Sequence, residues 1–195
     1  MGPPGEALSA LCRSAEGRLL LVAPYIKAAA LERVLEQTPE TVAVDVVTRW
    51  RPDEVAAGVS DLEVLDLVTA RPGGRVLLCP HLHAKYYRAG DRALLGSANL
   101  TGAALGWSTA PNLELLVDVD PTAAAIEAFE AELQSASLQA DRAIQKAVRD
   151  AAETLKAHAR AQSGGVADRL LGAPAARQSD LGRRERFGSR YLGLS

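Results

Sequence analysis

Between Arg75 and Val119 the chain runs through four strand-like segments in close succession, RVLLCP, HLHAKYY, RALLGSAN and NLELLVDV. Only the short turn AGD and the loop TGAALGWSTAP interrupt them, so this stretch has room for little besides a sheet. What precedes it alternates. RLLLVAPYI reads as a buried strand that stops at Pro24, and residues 28–37 as a helix with Leu31, Val34 and Leu35 on one face. VAVDVVTRW, from Val42 to Trp50, reads as a second strand. Pro52, Asp53 and Glu54 then suit the start of a helix. Leu62 to Val68 fits helix or strand, and RPGG from Arg71 to Gly74 is a turn. After the strand block, Asp120-Pro121 is expected to cap a helix bearing Ile126, Phe129 and Leu133. A further helix carries Ile144, Val148, Ala151 and Leu155.

This order implies an α/β fold, a mixed β-sheet flanked by helices on both faces, followed by a C-terminal helix and a flexible tail. The expected domain organisation is an N-terminal segment over 1–17, a main domain over 18–135, a C-terminal helix over 136–162 and a disordered basic tail over 163–195. A short helical turn is expected at Leu8 to Cys12. With 48% apolar but only 4% aromatic residues, the core should be aliphatic. No internal repeat is visible.

Charge is unevenly spread. The net charge is −2, but residues 1–136 hold 11 Lys/Arg against 18 Asp/Glu and residues 137–195 hold 11 against 6. Within residues 71–112, Arg71, Arg75, Lys85, Arg88 and Arg92 face only Asp91. A local positive field suits an anionic substrate even where the total is negative. LLLVAPYI is broken by a proline, so no membrane-crossing run is expected. The opening MGPPGEALSALCRSAEGR lacks a basic region followed by an apolar one, so no secretion signal is expected. Cys12 and Cys79 are too few and too scattered for a disulfide framework or a metal cluster, which points to a cytoplasmic location.

The chemistry gathers in HAKYYRAGDRALLGSANLTG. If HLHAKYY is a strand, His83 and Lys85 share a face, so an imidazole and a cation can address one anionic group. Gly96 and Ser97 let the backbone turn close to that group, and Asn99 offers an amide donor. Ser97 can equally be a plain turn former. Glu114, in an aliphatic strand, would be costly to bury unpaired; orienting the His83 imidazole would give it a partner. Tyr25 and Arg49–Trp50 also fall near strand ends, where ligands gather in such folds. Trp107 could stack on a base or simply anchor its loop. His, Lys and Asn do not make a divalent-metal cage, so neither a metal nor a cofactor is expected.

The set His83, Lys85, Gly96, Ser97 and Asn99 resembles the His-x-Lys…Gly-Ser-x-Asn signature of the phospholipase D superfamily, and its small single-motif nuclease members in particular. The similarity extends over residues 18–135, with Glu114 matching a glutamate of those nucleases. The family's aspartate position falls on Gly90; Asp91 is one residue late and reads as a hairpin-turn residue. The resemblance implies a phospholipase D-like sandwich and a nuclease that works through a phosphohistidine on His83. One motif per chain then implies a homodimer that shares one site. The partner implied is nucleic acid, DNA ahead of RNA, within a larger defence or repair assembly and away from membranes. A lipid phosphodiesterase of the phospholipase D type and a non-catalytic nucleic-acid-binding subunit are the alternatives.

Overall fold

Aliphatic residues at period two build the centre of the molecule. Leu19, Leu21, Val44, Val46, Val76, Tyr87 and Leu94 point to one side of the sheet, and Val22, Val47, Tyr86 and Ala93 to the other; all are buried. The computed structural model describes the backbone of residues 3–171 and the side chains of residues 3–161. Residues 1–159 form one unit, to which all that follows belongs except the end of the last helix. Residues 160–195 form a second, whose described backbone is the last part of a helix.

The strands are β1 (Arg18–Val22), β2 (Ala43–Thr48), β3 (Arg75–Leu78), β4 (Lys85–Ala89), β5 (Arg92–Gly96), β6 (Leu116–Val119) and β7 (Leu138–Gln139). They form one sheet in the order β6-β5-β4-β1-β2-β3-β7. β1, β2 and β3 are parallel, whereas β4, β5, β6 and β7 join by antiparallel pairing. The sheet is therefore mixed, a parallel β1-β2-β3 centre with antiparallel pairing on either side of it, at the β1–β4 seam and at β3–β7.

The helices are α1 (Pro4–Arg13), α2 (Ala28–Gln37), α3 (Pro52–Ala56), α4 (Val64–Thr69), α5 (Ala124–Ala136) and α6 (Arg142–Leu171). Leu8 and Leu11 of α1, Leu31 and Val34 of α2, and Val64, Leu65 and Val68 of α4 cover one face. Ile126, Phe129 and Leu133 of α5 cover the other, with Phe129 edge-on to Tyr86 at 5.7 Å between ring centroids. The expected α/β architecture with helices on both faces is the observed one.

Several local expectations change. The ambiguous stretch Leu62–Val68 resolves as α4, because Val64, Leu65 and Val68 reach the core at helical spacing. The turn expected at Leu8 to Cys12 is a full helix with an apolar face. Asp120 does not cap α5. Its carboxylate accepts Thr122 N–H at 2.8 Å, a turn ahead of the helix, which begins after Ala123. β7 has only two residues, too short for any periodicity to announce it. α6 buries Gln145 and Ala152 and packs Val148 against the core, and Gln145 donates to Leu62 O at 2.8 Å. Its backbone runs on to Leu171, past Ser163, where the tail was expected to begin. The remainder of the expected basic tail, from Gly172 on, lies outside the described residues. Among the described residues, no helix is long and apolar enough to cross a membrane.

Candidate active site

The sheet's topology gathers one end. β1, β2 and β3 finish there, β4 starts there and β5 finishes there, so Tyr25, Arg49, His83, Lys85 and the Gly96–Asn99 turn are brought to the same edge. Lys85 and Gly96 are directly opposed in the β4–β5 ladder, and Gly96 opposes Leu116 of β6. Only glycine fits at 96. A Cβ there would lie 1.9 Å from the carbonyl oxygen of Leu115.

The turn after Gly96 is held from beneath. Tyr87, fully buried, donates its hydroxyl to Ala98 O at 2.8 Å. Burial drives the Tyr87 phenol's pKa upward, so this hydroxyl keeps its proton and the bond persists. Ser97 N–H donates to Leu115 O at 2.9 Å, and Leu115 N–H returns a bond to Ser97 Oγ at 3.1 Å. Asn99 accepts the Tyr25 backbone N–H on Oδ1 at 3.4 Å, which leaves the amide's two donors for another partner.

Glu114 departs from its expected place. β6 begins at Leu116, so Glu114 stands ahead of the strand. Its carboxylate accepts the Ser97 hydroxyl and, at 3.2 Å, Asn112 Nδ2. It does not hydrogen-bond His83. The bond pattern between Ser97 and Leu115 turns the segment so that Ser97, the nearer polar group, takes the carboxylate. Ser97 is thereby tied into the turn through both its N–H and its hydroxyl.

His83 also differs in setting. β4 starts at Lys85, and His83 lies in the irregular lead-in from Cys79 to Ala84. Its backbone carbonyl accepts Lys85 Nζ at 2.9 Å. Its side chain is exposed, and the residue lines a cavity of about 310 Å³ with Leu82, Phe129 and Leu133. Among the described residues no side chain hydrogen-bonds the imidazole. Ser97 and Glu114 line a different cavity, of about 570 Å³, with Leu113 and Leu115.

Lys85 is half-buried. Burial lowers its pKa, the Glu114 carboxylate acts to raise it, and the Arg49 guanidinium acts to lower it. Arg49 and Glu54 are the residues that sequence reasoning passed over, apart from the position of Arg49 at a strand end. Their side chains are only 13% and 11% exposed. Glu54 takes Arg49 Nε at 3.1 Å and Nη2 at 2.5 Å. Nη2 also donates to Tyr25 Oη at 2.9 Å, and Nη1 donates to Leu82 O at 2.8 Å. Burial opposes the Arg49 charge, but Glu54 and Tyr25 more than offset it and raise its pKa.

Two residues fall elsewhere. Trp107 is half-buried, with the Arg33 guanidinium 4.4 Å from its ring centroid and α1 so close that a Cβ on Gly5 would meet it at 2.2 Å. That is an anchoring role, and one ring face is occupied. Asp91 shares with Gly90 the turn at the opposite end of the β4–β5 hairpin from Lys85 and Gly96, about 14 Å of strand away at the usual rise. Cys12 and Cys79 are buried free thiols. Among the described residues, no three His, Cys, Asp or Glu side chains converge to hold a metal ion.

No family model and no curated protein matches the sequence. Solved structures do match in fold. Nuc from Salmonella typhimurium, a phospholipase D family member, aligns with a TM-score of 0.51 at 16% identity, over 69% of this chain and 89% of its own. NucT from Helicobacter pylori aligns equally well, with a TM-score of 0.51 at 14% identity over the same shares. Phosphatidylserine synthase from Haemophilus influenzae Rd KW20 aligns with a TM-score of 0.56 at 15% identity, over 80% of this chain and 43% of its own. The chain thus has the fold of phospholipase D-type proteins, as its signature residues suggest.

Proposed function

We propose that this chain is a metal-independent phosphodiesterase that cleaves nucleic acid, DNA ahead of RNA, in a site completed by a second copy of itself. The observation that carries the reading is the opposition of Lys85 and Gly96. It gathers at one sheet end a cation, a glycine turn, the half-buried amide of Asn99 and, two residues before the lysine, the exposed imidazole of His83. These groups match the signature residue by residue, and the fold they sit on is that of Nuc and NucT.

In the first step His83 forms a bond to phosphorus while the bond from phosphorus to the leaving oxygen breaks. The second copy's His83, as imidazolium, gives that oxygen its proton. In the second step the same imidazole, now neutral, takes a proton from water as the water oxygen bonds to phosphorus. The phosphorus–nitrogen bond breaks, and both histidines return to their starting states. Lys85 and Asn99 from each copy hold the non-bridging oxygens and stabilise the charge that gathers there. Ser97 and Glu114 fix the turn that carries Asn99, and the backbone at Gly96 leaves room for the phosphate.

The pairing surface has a candidate beside the site. Leu113 is fully exposed, Leu115 is 46% and Val117 37% exposed; Leu113 and Leu115 flank Glu114 ahead of the edge strand β6 and Val117 lies within it, an apolar stripe along that edge. The same stripe favours a second reading, in which those residues touch lipid and the substrate is a phospholipid headgroup diester.

Labelled single- and double-stranded DNA and RNA, with and without EDTA, test the proposal. Cleavage that survives chelation supports it. Activity that vanishes in EDTA and returns with Mg²⁺ would overturn the mechanism. Cleavage of phospholipid vesicles without cleavage of nucleic acid would establish the lipid reading. Nucleic-acid binding with no cleavage of either substrate would make the chain a binding subunit.

A further inference from the structure

Arg49 links three parts of the candidate site that are distant in sequence. Through Nη1 it holds Leu82 O, the residue next to His83. Through Nη2 it holds the hydroxyl of Tyr25, whose own backbone N–H orients Asn99. Its charge is felt at Lys85. Glu54 clamps the guanidinium through two of its nitrogens, and Tyr25 also donates its hydroxyl to Glu54 at 3.4 Å. A guanidinium so engaged has four of its five hydrogens committed within the protein, which leaves it poorly placed to serve as a phosphate ligand.

The segment it grips has few other ties. From Cys79 to Ala84 the chain has no regular structure, and its backbone bonds are Cys79 N–H to Thr48 O at 2.9 Å and Leu82 N–H to Cys79 O at 3.1 Å. The His83 side chain itself is held by no hydrogen bond. Two side chains thus tie the backbone beside the imidazole: Lys85 at the His83 carbonyl and Arg49 at the Leu82 carbonyl, and of these only Arg49 also reaches Tyr25.

We propose that Arg49, clamped by Glu54, is a positioning residue that sets the His83 lead-in and the Asn99 amide in one mutual geometry. This rests on the phosphodiesterase reading for its consequence in catalysis, although the geometry itself does not. Arg49 takes no part in the bond changes at phosphorus. Its loss frees Leu82 and Tyr25 together, so the nucleophile and the oxygen-holding amide lose their common frame.

The test uses the full chain with Arg49→Gln/Glu54→Gln, which removes both charges and keeps amides in place, along with Arg49→Lys and Tyr25→Phe. Turnover is read on bis(p-nitrophenyl) phosphate, and the Leu82 and His83 backbone amides and the Asn99 side-chain amide are read by NMR. In the double variant, kcat should fall about a hundredfold, the scale of a misplacement of about 1 Å, with KM little changed. The three amide signals should shift or broaden together. Arg49→Lys, which keeps the charge against Glu54, should recover part of kcat. Tyr25→Phe, which spares the Leu82 bond and the fold, should disturb the Asn99 amide and leave Leu82 in place.

Unchanged amide signals in a folded double variant would overturn the proposal. So would a loss confined to KM, which would make Arg49 a substrate ligand. Should the double variant fail to fold, Tyr25→Phe decides, since an undisturbed Asn99 amide there breaks the chain of contacts. A wild-type protein that cleaves no phosphodiester would remove the function proposed above, while the amide signals would still decide the role of Arg49.

Discussion

The carboxylate of Glu114 receives the Ser97 hydroxyl, and the Ser97 oxygen in turn receives Leu115 N–H at 3.1 Å, so the acid closes a small ring around the turn that carries Asn99. Glu114 is also the anion that acts to raise the pKa of Lys85 against burial and Arg49. Glu114→Gln keeps a hydrogen-bond acceptor for Ser97 but removes that anion. The Lys85 ammonium should then lose its proton at lower pH than in the wild type, and the alkaline limb of the rate profile should move the same way. NMR titration of the Lys85 ammonium checks the first statement, and an upward or absent shift would contradict it.

His83→Ala and Lys85→Ala should each abolish turnover, whereas Asp91→Asn should lower it no more than about twofold, in keeping with a surface change of up to about 0.5 kcal/mol. The reason is the hairpin, which puts Asp91 in the turn at the end away from Lys85 and Gly96. Initial rates on a phosphodiester, with thermal unfolding as a control, decide it. An Asp91→Asn protein as inactive as His83→Ala, yet folded, would place the acid in the site after all.

Gly96→Ala should destabilise the protein. Its Cβ would meet the Leu115 carbonyl oxygen at 1.9 Å, and the obstacle is backbone, which cannot rotate away. A cost of about 1–3 kcal/mol is the expected scale for such overpacking. For a chain of this size each kcal/mol lowers Tm by roughly 2–4 °C. Calorimetry reads the result, and an unchanged Tm would mean that the β5–β6 seam is looser than its register implies.

Leu115→Glu should yield a monomer with no multiple turnover, because a charge would enter the apolar stripe at the edge beside the site. Analytical ultracentrifugation gives the oligomeric state. Heterodimers of wild-type and His83→Ala chains should also be almost inactive, since no shared site keeps both imidazoles. Half the wild-type rate in the heterodimer would show that each chain works alone.

The main architecture was legible because it rests on long apolar runs. Arg18–Ile26 and Val42–Trp50 carry enough consecutive aliphatics to mark buried strands, and Ile126, Phe129 and Leu133 mark a helix face at once. The signature residues were legible for another reason: their spacing survives folding, since Lys85 and Gly96 are joined by one hairpin. What escaped depends on contacts between distant segments. Glu114 reads as a strand residue in NLELLV, but the Ser97–Leu115 bonds start the strand at Leu116. Nothing local to Trp107 announces Arg33 over its ring, and nothing local to Arg49 announces that its partners are Tyr25, Glu54 and Leu82.

The seam between β1 and β4 has a consequence for the order in which the molecule can become competent. The parallel side of the sheet contributes Tyr25, Arg49 and the lead-in to His83; the antiparallel side contributes Lys85, the Gly96–Asn99 turn and Glu114. The two sides of the sheet join along the β1–β4 ladder, from Leu19 opposite Ala89 to Val22 opposite Tyr86, and at the bridge between Ile26 and Leu100, all pairs of residues far apart along the chain. Closing that loop carries an entropy cost that the local hairpin does not, so it is expected to come late in folding. A nascent or partly unfolded chain can thus hold its β4–β5 hairpin and its helices and still have no site. Under the function proposed above, activity would report the completion of one long-range strand pairing, and a partly folded chain would be silent.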